Sequence, residues 1–352
     1  MITLSVEEKY MQRCMQLAQL GLGNVSPNPM VGSVIVHNNC IIGEGYHEQY
    51  GQAHAEVKAI NSVKNQALLK ESTLYVNLEP CSHHGKTPPC DDLIIEKKIP
   101  RVVIACKDTC SLVCGAGIDK LKKAGSDVVY GVLEQEARSL NKRFFTFHEK
   151  KRPYIILKWA QTQDGYIDKI RKVLTEKASW ITHDVCKKLV HKWRSEEDAF
   201  MVGTNTAMMD NPQLTTREWK GKNPIRIAID KTLKMPPTHF LLNDETQTII
   251  FTESPQKQKE KTEFISIDFS NPVLPQILGS LYIRSIQSLV VEGGTMLLQS
   301  FIDADLWDEA RIFTNTELFF QKGVAAPKIK ACKTSSEMYG ATSLMVLERT
   351  AR

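Results

Sequence analysis

Two segments decide how the first half of the chain folds: His54-Ala55-Glu56 and Leu78-Glu79-Pro80-Cys81-Ser82-His83-His84-Gly85-Lys86-Thr87-Pro88-Pro89-Cys90. Each stands where a predicted helix begins, and the second follows a predicted buried strand. One imidazole and two thiolates are three good zinc ligands. A fourth position left to water makes a catalytic site, because zinc lowers the pKa of that water to about 7. Glu56 is placed to move a proton without coordinating the metal.

The order of these residues is typical of the zinc-dependent deaminases, which carry H-x-E followed by P-C-x-x-C. Here residues 82–89 separate the two cysteines, so the spacing is longer than in the nucleic-acid and nucleoside deaminases. This His-, Lys- and Gly-rich insertion is expected to contact substrate. The alternative is that His54 caps a helix, Glu56 is solvated, and Cys81 and Cys90 are small buried hydrophobes. The joint occurrence of all four favours zinc.

Around these segments the pattern indicates a layered α/β domain. Ser5 and Glu8 form a capping-box signature before a predicted first helix. Val31 to Val36 and Cys40 to Tyr46 are predicted to form a β-hairpin. Strands and helices then alternate, which favours parallel pairing. We expect a single long helix over Leu133 to about His148.

The charged segment closed by Pro153 predicts a domain boundary, because proline cannot continue a helix. We therefore expect domains at residues 1–149 and 153–352. The second is again predicted to be α/β, with a first strand at Tyr154 to Ala160 and Thr182 capping a helix that reaches about Arg194. Its clearest later strands are Ala199 to Gly203, Ile225 to Ile229, Thr248 to Thr252 and Ser288 to Val291.

Composition excludes several classes of protein. The 352 residues are 42% hydrophobic and 24% charged, as in an ordinary folded protein of about two domains. No run of about 18 apolar residues is present, and residues 1–20 carry charges where a signal peptide is apolar, so a cytoplasmic protein without membrane association is expected. Nine cysteines, an odd number, argue against a disulfide framework. The net charge of +5 is too small to predict nucleic-acid binding and suits a phosphorylated small molecule.

The first half closely resembles the deaminase domain of the RibD family of riboflavin biosynthesis. The resemblance lies in the two segments quoted above, Asn28-Pro29-Met30-Val31-Gly32, and Gly43-Glu44-Gly45-Tyr46-His47. It implies a cytidine-deaminase-like α/β/α domain that removes the 2-amino group of 2,5-diamino-6-(5-phosphoribosylamino)pyrimidin-4(3H)-one. It assigns zinc to His54, Cys81 and Cys90, and catalysis to Glu56. The implied substrate contacts are Asn28, His47, His83, Lys86 and Asp108, although for His47 a satisfied loop histidine is an equal alternative.

The second half resembles the reductase domain of the same family. The matching segments include Asp210-Asn211-Pro212-Gln213-Leu214-Thr215-Thr216-Arg217 and Glu292-Gly293-Gly294. The resemblance implies a dihydrofolate-reductase-like fold and NADPH-dependent reduction of the ribose of 5-amino-6-(5-phosphoribosylamino)uracil to a ribityl chain. The implied NADPH contacts are Ala160, Trp180, Thr206, Asp210, Gly293, Gly294, Thr295, Met296, Leu297, Leu298 and Gln299. The implied substrate contacts are Arg194, Leu214, Arg217 and Glu292, where a guanidinium fork matches a phosphate.

Independent residue patterns for the cofactor are weaker. No G-x-G-x-x-G opens either half. The Gly293-Gly294 turn follows a predicted strand and precedes a helix expected to start at Met296, where backbone N–H groups can bind a pyrophosphate. Turns of this kind without a ligand are common, so that alternative stays open.

The sequence departs from the family pattern in two places, at Cys110 to Ala116 and at Glu176 to Ala178. A monofunctional enzyme with one impaired half is therefore the second hypothesis. A nucleic-acid deaminase is the third, although aromatic residues are only 7%. The sequence leaves open whether the chain forms a homo-oligomer.

Overall fold

The structure is a computed structural model that describes residues 4–82, 88–109, 115–173, 176, 178–254, 256–330 and 332–349. It divides into two compact units, Met1–Lys151 and Arg152–Arg352. Within the described residues, no helix is both long enough and apolar enough to cross a membrane.

The first unit contains five strands and six α-helices among its described residues. In chain order they are α1 (Val6–Gln19), β1 (Gly32–His37), β2 (Cys40–Tyr46), α2 (Ala55–Ser62), β3 (Thr73–Leu78), α3 (Cys90–Glu96), β4 (Arg101–Cys106), α4 (Ala116–Lys123), β5 (Asp127–Tyr130), α5 (Glu134–Leu140) and α6 (Lys142–Lys150). A 3-10 helix, Gln66–Glu71, precedes β3. The capping box predicted at Ser5 and Glu8 is present at the start of α1.

The strands form one sheet in the order β2-β1-β3-β4-β5. Strand β1 is antiparallel to both β2 and β3, whereas β3, β4 and β5 are parallel. This is the hairpin followed by parallel strands that the sequence predicts. One apolar cluster joins the sheet to α1, α5 and α6, and a second joins it to α2, α3 and α4. The unit is therefore an α/β/α layered domain.

Two glycines let helices approach this sheet closely. A Cβ at Gly32 would lie 2.1 Å from the carbonyl oxygen of Cys14, so α1 packs directly on β1. A Cβ at Gly45 would lie 2.5 Å from the backbone nitrogen of Ala59, so α2 packs directly on β2. The contact at Gly45 fixes the depth at which the start of α2, and therefore His54, lies against the sheet.

The single helix expected over Leu133 to His148 is wrong. The chain forms α5 and α6, which are separated at Asn141, where φ is −98° and ψ is 25°. The side chain of Asn141 is buried, and its Oδ1 accepts a hydrogen bond from Met30 N at 2.8 Å while its Nδ2 donates to Met30 O at 2.9 Å. The break places this amide against a backbone segment far away in sequence, which helical periodicity does not reveal.

The second unit contains the remaining strands and four α-helices among its described residues. In chain order they are β6 (Tyr154–Thr162), β7 (Tyr166–Asp168), α7 (Asp184–Glu196), β8 (Ala199–Val202), α8 (Thr204–Asp210), β9 (Ile225–Ile229), β10 (Thr248–Thr252), β11 (Thr262–Ser266), α9 (Val273–Ile283), β12 (Ser288–Val291), α10 (Thr295–Asp303), β13 (Glu309–Asn315), β14 (Val324–Ala325), β15 (Cys332–Tyr339) and β16 (Thr342–Glu348). A 3-10 helix, Phe240–Leu242, precedes β10.

Nine of these strands form one sheet in the order β11-β10-β9-β8-β12-β6-β13-β16-β15. The strands from β11 to β13 are parallel, and β16 and β15 continue the sheet in antiparallel pairing. Strands β7 and β14 pair separately. Two apolar clusters involve this sheet, one with α9 and α10 and one with α7 and α8. Both units are therefore α/β, as the sequence predicts.

The predicted capping of α7 by Thr182 is wrong by one residue. The N-cap is His183, and its Nδ1 accepts a hydrogen bond from Val185 N at 3.3 Å. A histidine nitrogen can accept in this way only when it is unprotonated, and capping preferences for Ser and Thr do not reveal it. Helix α10 likewise begins at Thr295, one residue before the predicted Met296.

Candidate active sites

The three predicted zinc ligands come together at the ends of neighbouring elements. His54 is the residue before α2, Cys81 follows β3, and Cys90 is the first residue of α3. His54 Nδ1 lies 3.3 Å from Cys90 Sγ and 3.4 Å from Cys81 Sγ. A tetrahedral zinc ion with Zn–N near 2.0 Å and Zn–S near 2.3 Å separates a nitrogen from a sulfur by about 3.5 Å. The donor set and its spacing therefore fit zinc, with the fourth position left for water.

The alternative structural roles of these residues do not fit the geometry. His54 is the N-cap residue of α2, but its side chain makes no capping hydrogen bond. Its Nδ1 instead faces the two sulfurs. The backbone N–H of Cys90 donates to Cys81 Sγ at 3.3 Å, which favours a thiolate at Cys81. Thiolate, rather than thiol, is the form that binds metal.

The electrostatics of the cluster agree with a metal site. Hydrogen bonds from the Cys90 thiol and from His54 lower the pKa of Cys81 to about 4, although its burial acts in the opposite direction. The contact with Cys81, together with burial, raises the pKa of Cys90. The hydrogen bond with Cys81 raises the pKa of His54. One negative charge is thus shared by two adjacent sulfurs, a concentration of charge that a divalent cation neutralises.

Glu56 lies in the first turn of α2, two residues from His54, and is only 3% exposed. Burial is the main cause that raises its pKa to about 7, and the nearby charge of Cys81 adds to the effect. A buried carboxyl beside a metal-binding cluster can hold or release a proton without coordinating the metal.

Asn28 and His47, two of the predicted substrate contacts, lie beside the cluster and bond to each other. Asn28 Nδ2 is 3.1 Å from His47 Nε2, and His47 Nδ1 is 3.3 Å from the carbonyl oxygen of Ala53. The carbonyl can only accept, so Nδ1 carries the proton and Nε2 accepts from the amide. Burial lowers the pKa of His47. Its ring also makes an edge contact with His54, with centroids 5.4 Å apart.

Two buried asparagines hold the backbone next to Asn28. Asn77 Oδ1 accepts from Gly32 N at 2.7 Å, and its Nδ2 donates to Met30 O at 3.0 Å. Asn141 binds both backbone groups of Met30, as described above. The segment that carries Asn28 is thereby fixed to β3 and to the junction of α5 and α6.

Asp108, another predicted substrate contact, follows β4 and is 8% exposed. Its backbone N–H donates to Glu79 Oε2 at 3.2 Å. The predicted contacts His83 and Lys86 lie outside the described residues, and so do residues 110–114 of the first departure from the family pattern. Of the second departure, Glu176 and Ala178 are described and residue 177 is not.

In the second unit, two of the predicted cofactor contacts, Ala160 and Gly293, lie near the carboxyl ends of neighbouring parallel strands. Strands β8, β12 and β6 are neighbours, and Gly203, Gly293 and Ala160 stand at or near their carboxyl ends. This edge is where open α/β sheets bind ligands. Gly203 N donates to Gly293 O at 2.9 Å, which joins the first two turns.

The Gly293-Gly294 turn is shaped for close approach of a ligand. Gly293 has a φ of 127°, a region that favours glycine, and a Cβ built on it meets nothing within 4 Å. A Cβ on Gly294 would lie 3.3 Å from Thr206 Oγ1. Gly294 is the N-cap of α10 and offers no side-chain cap, so the first N–H groups of that helix have no capping side chain. The turn and helix start therefore fit an anionic pyrophosphate.

The other predicted cofactor contacts are not all equally accessible. Met296 is 83% exposed and Trp180 is 61% exposed. Thr295 Oγ1 donates to Ala325 O at 2.6 Å, and Gln299 bonds to the backbone of Lys328, so both side chains already bind protein. Leu298 is fully buried in the apolar core, which leaves only its backbone for a ligand. Leu297 is partly buried against that core, and Asp210 forms an ion pair with Arg171.

A cluster of charges lies beside the same strand ends. Arg194 Nη2 donates to both oxygens of Glu292, at 3.2 and 2.9 Å, and Lys158 Nζ lies 3.9 Å from Glu292 Oε1. Burial opposes ionisation of Glu292, but Arg194 and Lys158 outweigh it and lower its pKa. Burial, with the charge of Arg194, lowers the pKa of Lys158. Arg194 Nε is buried without a partner among the described residues.

Arg217 adds a second guanidinium to this cluster. It is exposed, its Nη1 donates to Thr215 Oγ1 at 2.8 Å, and its backbone N–H donates to His191 Nδ1 at 2.9 Å. Although much of the side chain is open to solvent, its partial burial is the main cause that lowers its pKa, and the charge of Arg194 adds to the effect. Leu214 is buried in the apolar core with φ at 52°, so its side chain supports the turn rather than facing solvent. The arginines and Lys158 thus form a positive site around one buried carboxylate.

Three residues of these sites were given no role by the sequence. Lys158 is one of the residues that match the reductase family, although no role is assigned to it, and the signal for a role is that a lysine interrupts the apolar strand Tyr154–Thr162. Glu79 lies in a segment that matches the family, but neither its role nor that of Asn141 has a local signal, since their partners are 29 to 39 and 111 residues away in sequence.

Two family models match the chain. Residues 4–106 match the cytidine and deoxycytidylate deaminase zinc-binding region, and residues 153–319 match the RibD C-terminal domain. The riboflavin biosynthesis protein RibD of Aquifex aeolicus is 42% identical over 314 residues, which cover 88% of this chain and 86% of that relative.

Two solved structures match the chain over nearly its whole length. A diaminohydroxyphosphoribosylaminopyrimidine deaminase/5-amino-6-(5-phosphoribosylamino)uracil reductase from Thermotoga maritima has a TM-score of 0.88 and 36% identity, covering 98% of this chain and 99% of that one. RibD of Acinetobacter baumannii has a TM-score of 0.89 and 29% identity, with the same coverage.

The fold and the two sites together define a zinc-dependent deaminase joined to a reductase. The chain belongs to the RibD family, and it is a bifunctional deaminase and reductase of riboflavin biosynthesis. The predicted cofactors, zinc and NADPH, are those of this family.

Proposed function

We propose that the chain deaminates 2,5-diamino-6-(5-phosphoribosylamino)pyrimidin-4(3H)-one at its 2-amino group and then reduces the ribose of the product. The observation that carries the proposal is the cluster of His54, Cys81 and Cys90, with ligand atoms all within 4.8 Å of one another and the buried Glu56 beside it. A small phosphorylated pyrimidine, rather than nucleic acid, is the proposed substrate, because the chain carries a net charge of only +5.

In the proposed deaminase, His54, Cys81 and Cys90 hold zinc. The metal, when bound, lowers the pKa of a coordinated water so that hydroxide is available at neutral pH. Glu56 takes a proton at its carboxylate and delivers it to the leaving amine. Because its side chain is 3% exposed, the proton goes to the substrate rather than to bulk water.

Substrate binding in the first unit is assigned to Asn28, His47 and Asp108, together with His83 and Lys86. Neutral His47 holds the Asn28 amide in one orientation through the 3.1 Å contact. An oriented amide can donate to a pyrimidine carbonyl and accept from a ring N–H, so it can read one edge of the base. Asp108 and Lys86 carry opposite charges, which suit the ribose hydroxyls and the phosphate respectively.

In the proposed reductase, NADPH lies along the carboxyl ends of β6, β8 and β12. The cofactor supplies hydride from its nicotinamide ring. The contacts proposed for it are Ala160, Trp180, Thr206, Asp210, Gly293, Gly294, Thr295, Met296, Leu297, Leu298 and Gln299. Of these, Leu298 can contribute only its backbone, because its side chain is fully buried.

The ribosyl phosphate is proposed to lie against Arg194, Leu214, Arg217 and Glu292. Exposed Arg217 offers free guanidinium N–H groups for the phosphate, while Arg194 keeps Glu292 ionised and in place. The reaction then depends on positioning the sugar carbon against the nicotinamide.

We further propose that residues 1–149 contain the complete deaminase and residues 153–352 the complete reductase, acting in the cytoplasm. The compact units meet at the bond between Lys151 and Arg152, which supports a division in this region. Among the described residues, the cysteines outside the proposed metal site, Cys14, Cys40, Cys106 and Cys186, form no disulfide, which is consistent with a reducing compartment.

One assay tests the two-step proposal. The purified chain is incubated with the diaminopyrimidine ribosyl phosphate, first without and then with NADPH, while ammonia and nicotinamide absorbance are followed separately. We expect ammonia release without NADPH and loss of absorbance only after deamination. Ammonia without any NADPH oxidation would instead support a monofunctional deaminase, and absence of ammonia would contradict the proposed first step.

A further inference from the structure

The strongest feature outside the described catalytic groups is a buried glutamate, Glu79, next to the metal-binding loop. It follows β3 directly and stands two residues before Cys81, with its side chain 4% exposed overall. Its backbone N–H donates to Cys106 O at 3.0 Å, which ties the end of β3 to the end of β4. The metal-binding loop and the segment after β4 therefore start from the same point.

The carboxylate of Glu79 accepts four hydrogen bonds, all from backbone N–H groups. Oε2 accepts from Asp108 at 3.2 Å and from Gly115 at 3.1 Å. Oε1 accepts from Gly117 at 3.0 Å and from Ile118 at 3.2 Å. Among the described residues, no lysine, arginine or histidine forms an ion pair with it, so backbone dipoles alone compensate this buried charge.

Two of the four bonds replace a missing helix cap. Gly115 is the N-cap of α4, and it has no side chain with which to cap the helix. The N–H groups of Gly117 and Ile118 belong to the first turn of α4 and have no partner within the helix. Glu79 accepts from both and places a negative charge at the positive end of the helix dipole.

The start of α4 also packs tightly against the metal-binding loop. A Cβ on Gly117 would lie 2.4 Å from the carbonyl oxygen of Pro80, the residue before Cys81. Only a glycine permits this approach, so the contact fixes α4 against the Pro80–Cys81 backbone. The same Cβ position would lie 3.4 Å from Glu79 Oε1, so the carboxylate of Glu79 is packed into this junction as well.

We propose that Glu79 is a positioning residue of the deaminase, which holds Asp108 and the start of α4 in a fixed place relative to the zinc ligand Cys81. It contacts neither the metal nor the substrate. This inference depends on the proposed role of Asp108 as a substrate contact. Glu79 acts through the backbone of Asp108, so its removal weakens substrate binding more than it slows the chemical step.

Glu79→Gln in the full chain tests this assignment. The amide keeps one oxygen, which can accept at most two of the four N–H groups, while its NH2 faces the other two as a donor. We expect the KM for the pyrimidine to rise at least tenfold and kcat to fall less than threefold, with zinc content unchanged. Amides 117 and 118 should exchange hydrogen faster, because their acceptors are weakened. Reductase activity of the same chain reports whether the rest of the protein is intact.

Glu96→Gln provides a matched control. It removes the same charge from the same unit, and Glu96 is 69% exposed beside Lys97. We expect KM, zinc content and amide exchange at residues 117 and 118 to stay as in the unmodified chain. An equal rise of KM in this control would overturn the assignment.

Asp108→Ala and the double variant separate the inference from the proposed function. If Glu79 acts through Asp108, then Glu79→Gln raises KM much less in the Asp108→Ala background than alone. Additive effects, or a rise of KM for Glu79→Gln when Asp108→Ala has none, would overturn the role through Asp108.

An unchanged KM in Glu79→Gln, a loss confined to kcat, or a loss of zinc would overturn the assignment of Glu79 directly. If Glu79→Gln does not fold, the amide exchange of Asp108→Ala decides. Unchanged protection at residues 117 and 118 supports Glu79 as the group that holds these amides, and loss of protection contradicts it. A normal KM in Asp108→Ala would contradict the proposed substrate contact. An unmodified chain without deaminase activity would contradict the proposed function.

Discussion

At the scale of single residues, the two sites place buried charge beside groups that are free to bind. In the first unit, Glu56 is buried next to three ligand atoms that satisfy one metal. In the second, Glu292 is neutralised by Arg194 and Lys158, while Arg217 stays exposed. Each arrangement separates the group that reacts or binds from the groups that fix its surroundings, so single substitutions should have distinct effects.

Glu56→Gln should retain zinc and stop deamination. The ligands His54, Cys81 and Cys90 are untouched, whereas the amide cannot carry a proton. We expect the rate of ammonia release to fall by about 10²- to 10⁴-fold, as for other positioned acid–base groups. Zinc per chain, measured by elemental analysis, should not change. Glu71→Gln, at a side chain that is 75% exposed, is the matched control and should keep full activity. Loss of zinc in Glu56→Gln would mean that this carboxylate is a ligand.

Arg217→Ala should weaken binding of the phosphorylated substrate to the reductase. A hydrogen bond to a charged group contributes about 1.5 to 3 kcal/mol, so we expect KM for the ribosyl phosphate to rise about 10- to 100-fold. The phosphate is remote from the reacting carbon, so kcat should change much less. Lys220→Ala, at another exposed cation nearby in sequence, should leave KM unchanged. A fall in kcat with normal KM would place Arg217 at the reacting atoms instead.

At the scale of elements, each site is built where a strand ends and a helix begins. The residues before and within α2 and at the start of α3 carry the metal cluster, and the turn between β12 and α10 carries the predicted pyrophosphate site. Such junctions leave backbone N–H groups without helical partners, which is why glycines and carboxylates collect there. Tertiary contacts then hold the junctions in place, as between α7 and the segment that contains Arg217.

The pH dependence of stability should report the contact between α7 and the segment that contains Arg217. His191, on α7, is 2% exposed and accepts from Arg217 N. Burial is the main cause that lowers its pKa from 6.5 to about 4, and the charges of Arg194 and Arg217 add to it. Between these two pH values the unfolded chain binds more protons than the folded one. The contribution of neutral His191 to the free energy of unfolding is therefore fully present above about pH 6.5 and is lost as the pH falls towards 4.

His191→Asn should reduce that dependence. The Asn Oδ1 can take the place of the histidine Nδ1 as acceptor and does not titrate. All five tryptophans lie in the second unit, at Trp159, Trp180, Trp193, Trp219 and Trp307, so tryptophan fluorescence follows its unfolding. We expect the urea midpoint of the unmodified chain to fall more between pH 7 and pH 4.5 than that of His191→Asn. Comparison of both at pH 7.5 corrects for lost packing, and equal pH dependence would contradict a buried neutral His191.

At the scale of the whole molecule, the sequence predicts the groups that bind or react better than it predicts the residues that hold those groups in place. The zinc ligands and Glu56 could be recognised because their residue types, order and position at helix starts all point to one function. The break at Asn141 could not, because its cause is a hydrogen bond to Met30 from 111 residues away. The role of Glu79 could not be recognised for the same reason, because its four donors are the backbone N–H groups of residues 108, 115, 117 and 118. Groups that touch the ligand leave local patterns, whereas groups that hold them depend on the completed fold.

Removal of zinc from the full chain should separate the two activities. All three proposed ligands, His54, Cys81 and Cys90, belong to the unit Met1–Lys151, and hydride transfer from NADPH needs no metal. After chelation we expect ammonia release to stop, while reduction of the deaminated substrate continues at an unchanged rate. Added zinc should restore ammonia release. Glu56→Gln treated in the same way should regain zinc but not activity, which distinguishes the metal ligands from the residue that carries the proton. A reductase rate that falls with zinc and returns with it would contradict the assignment of the metal to the first reaction alone.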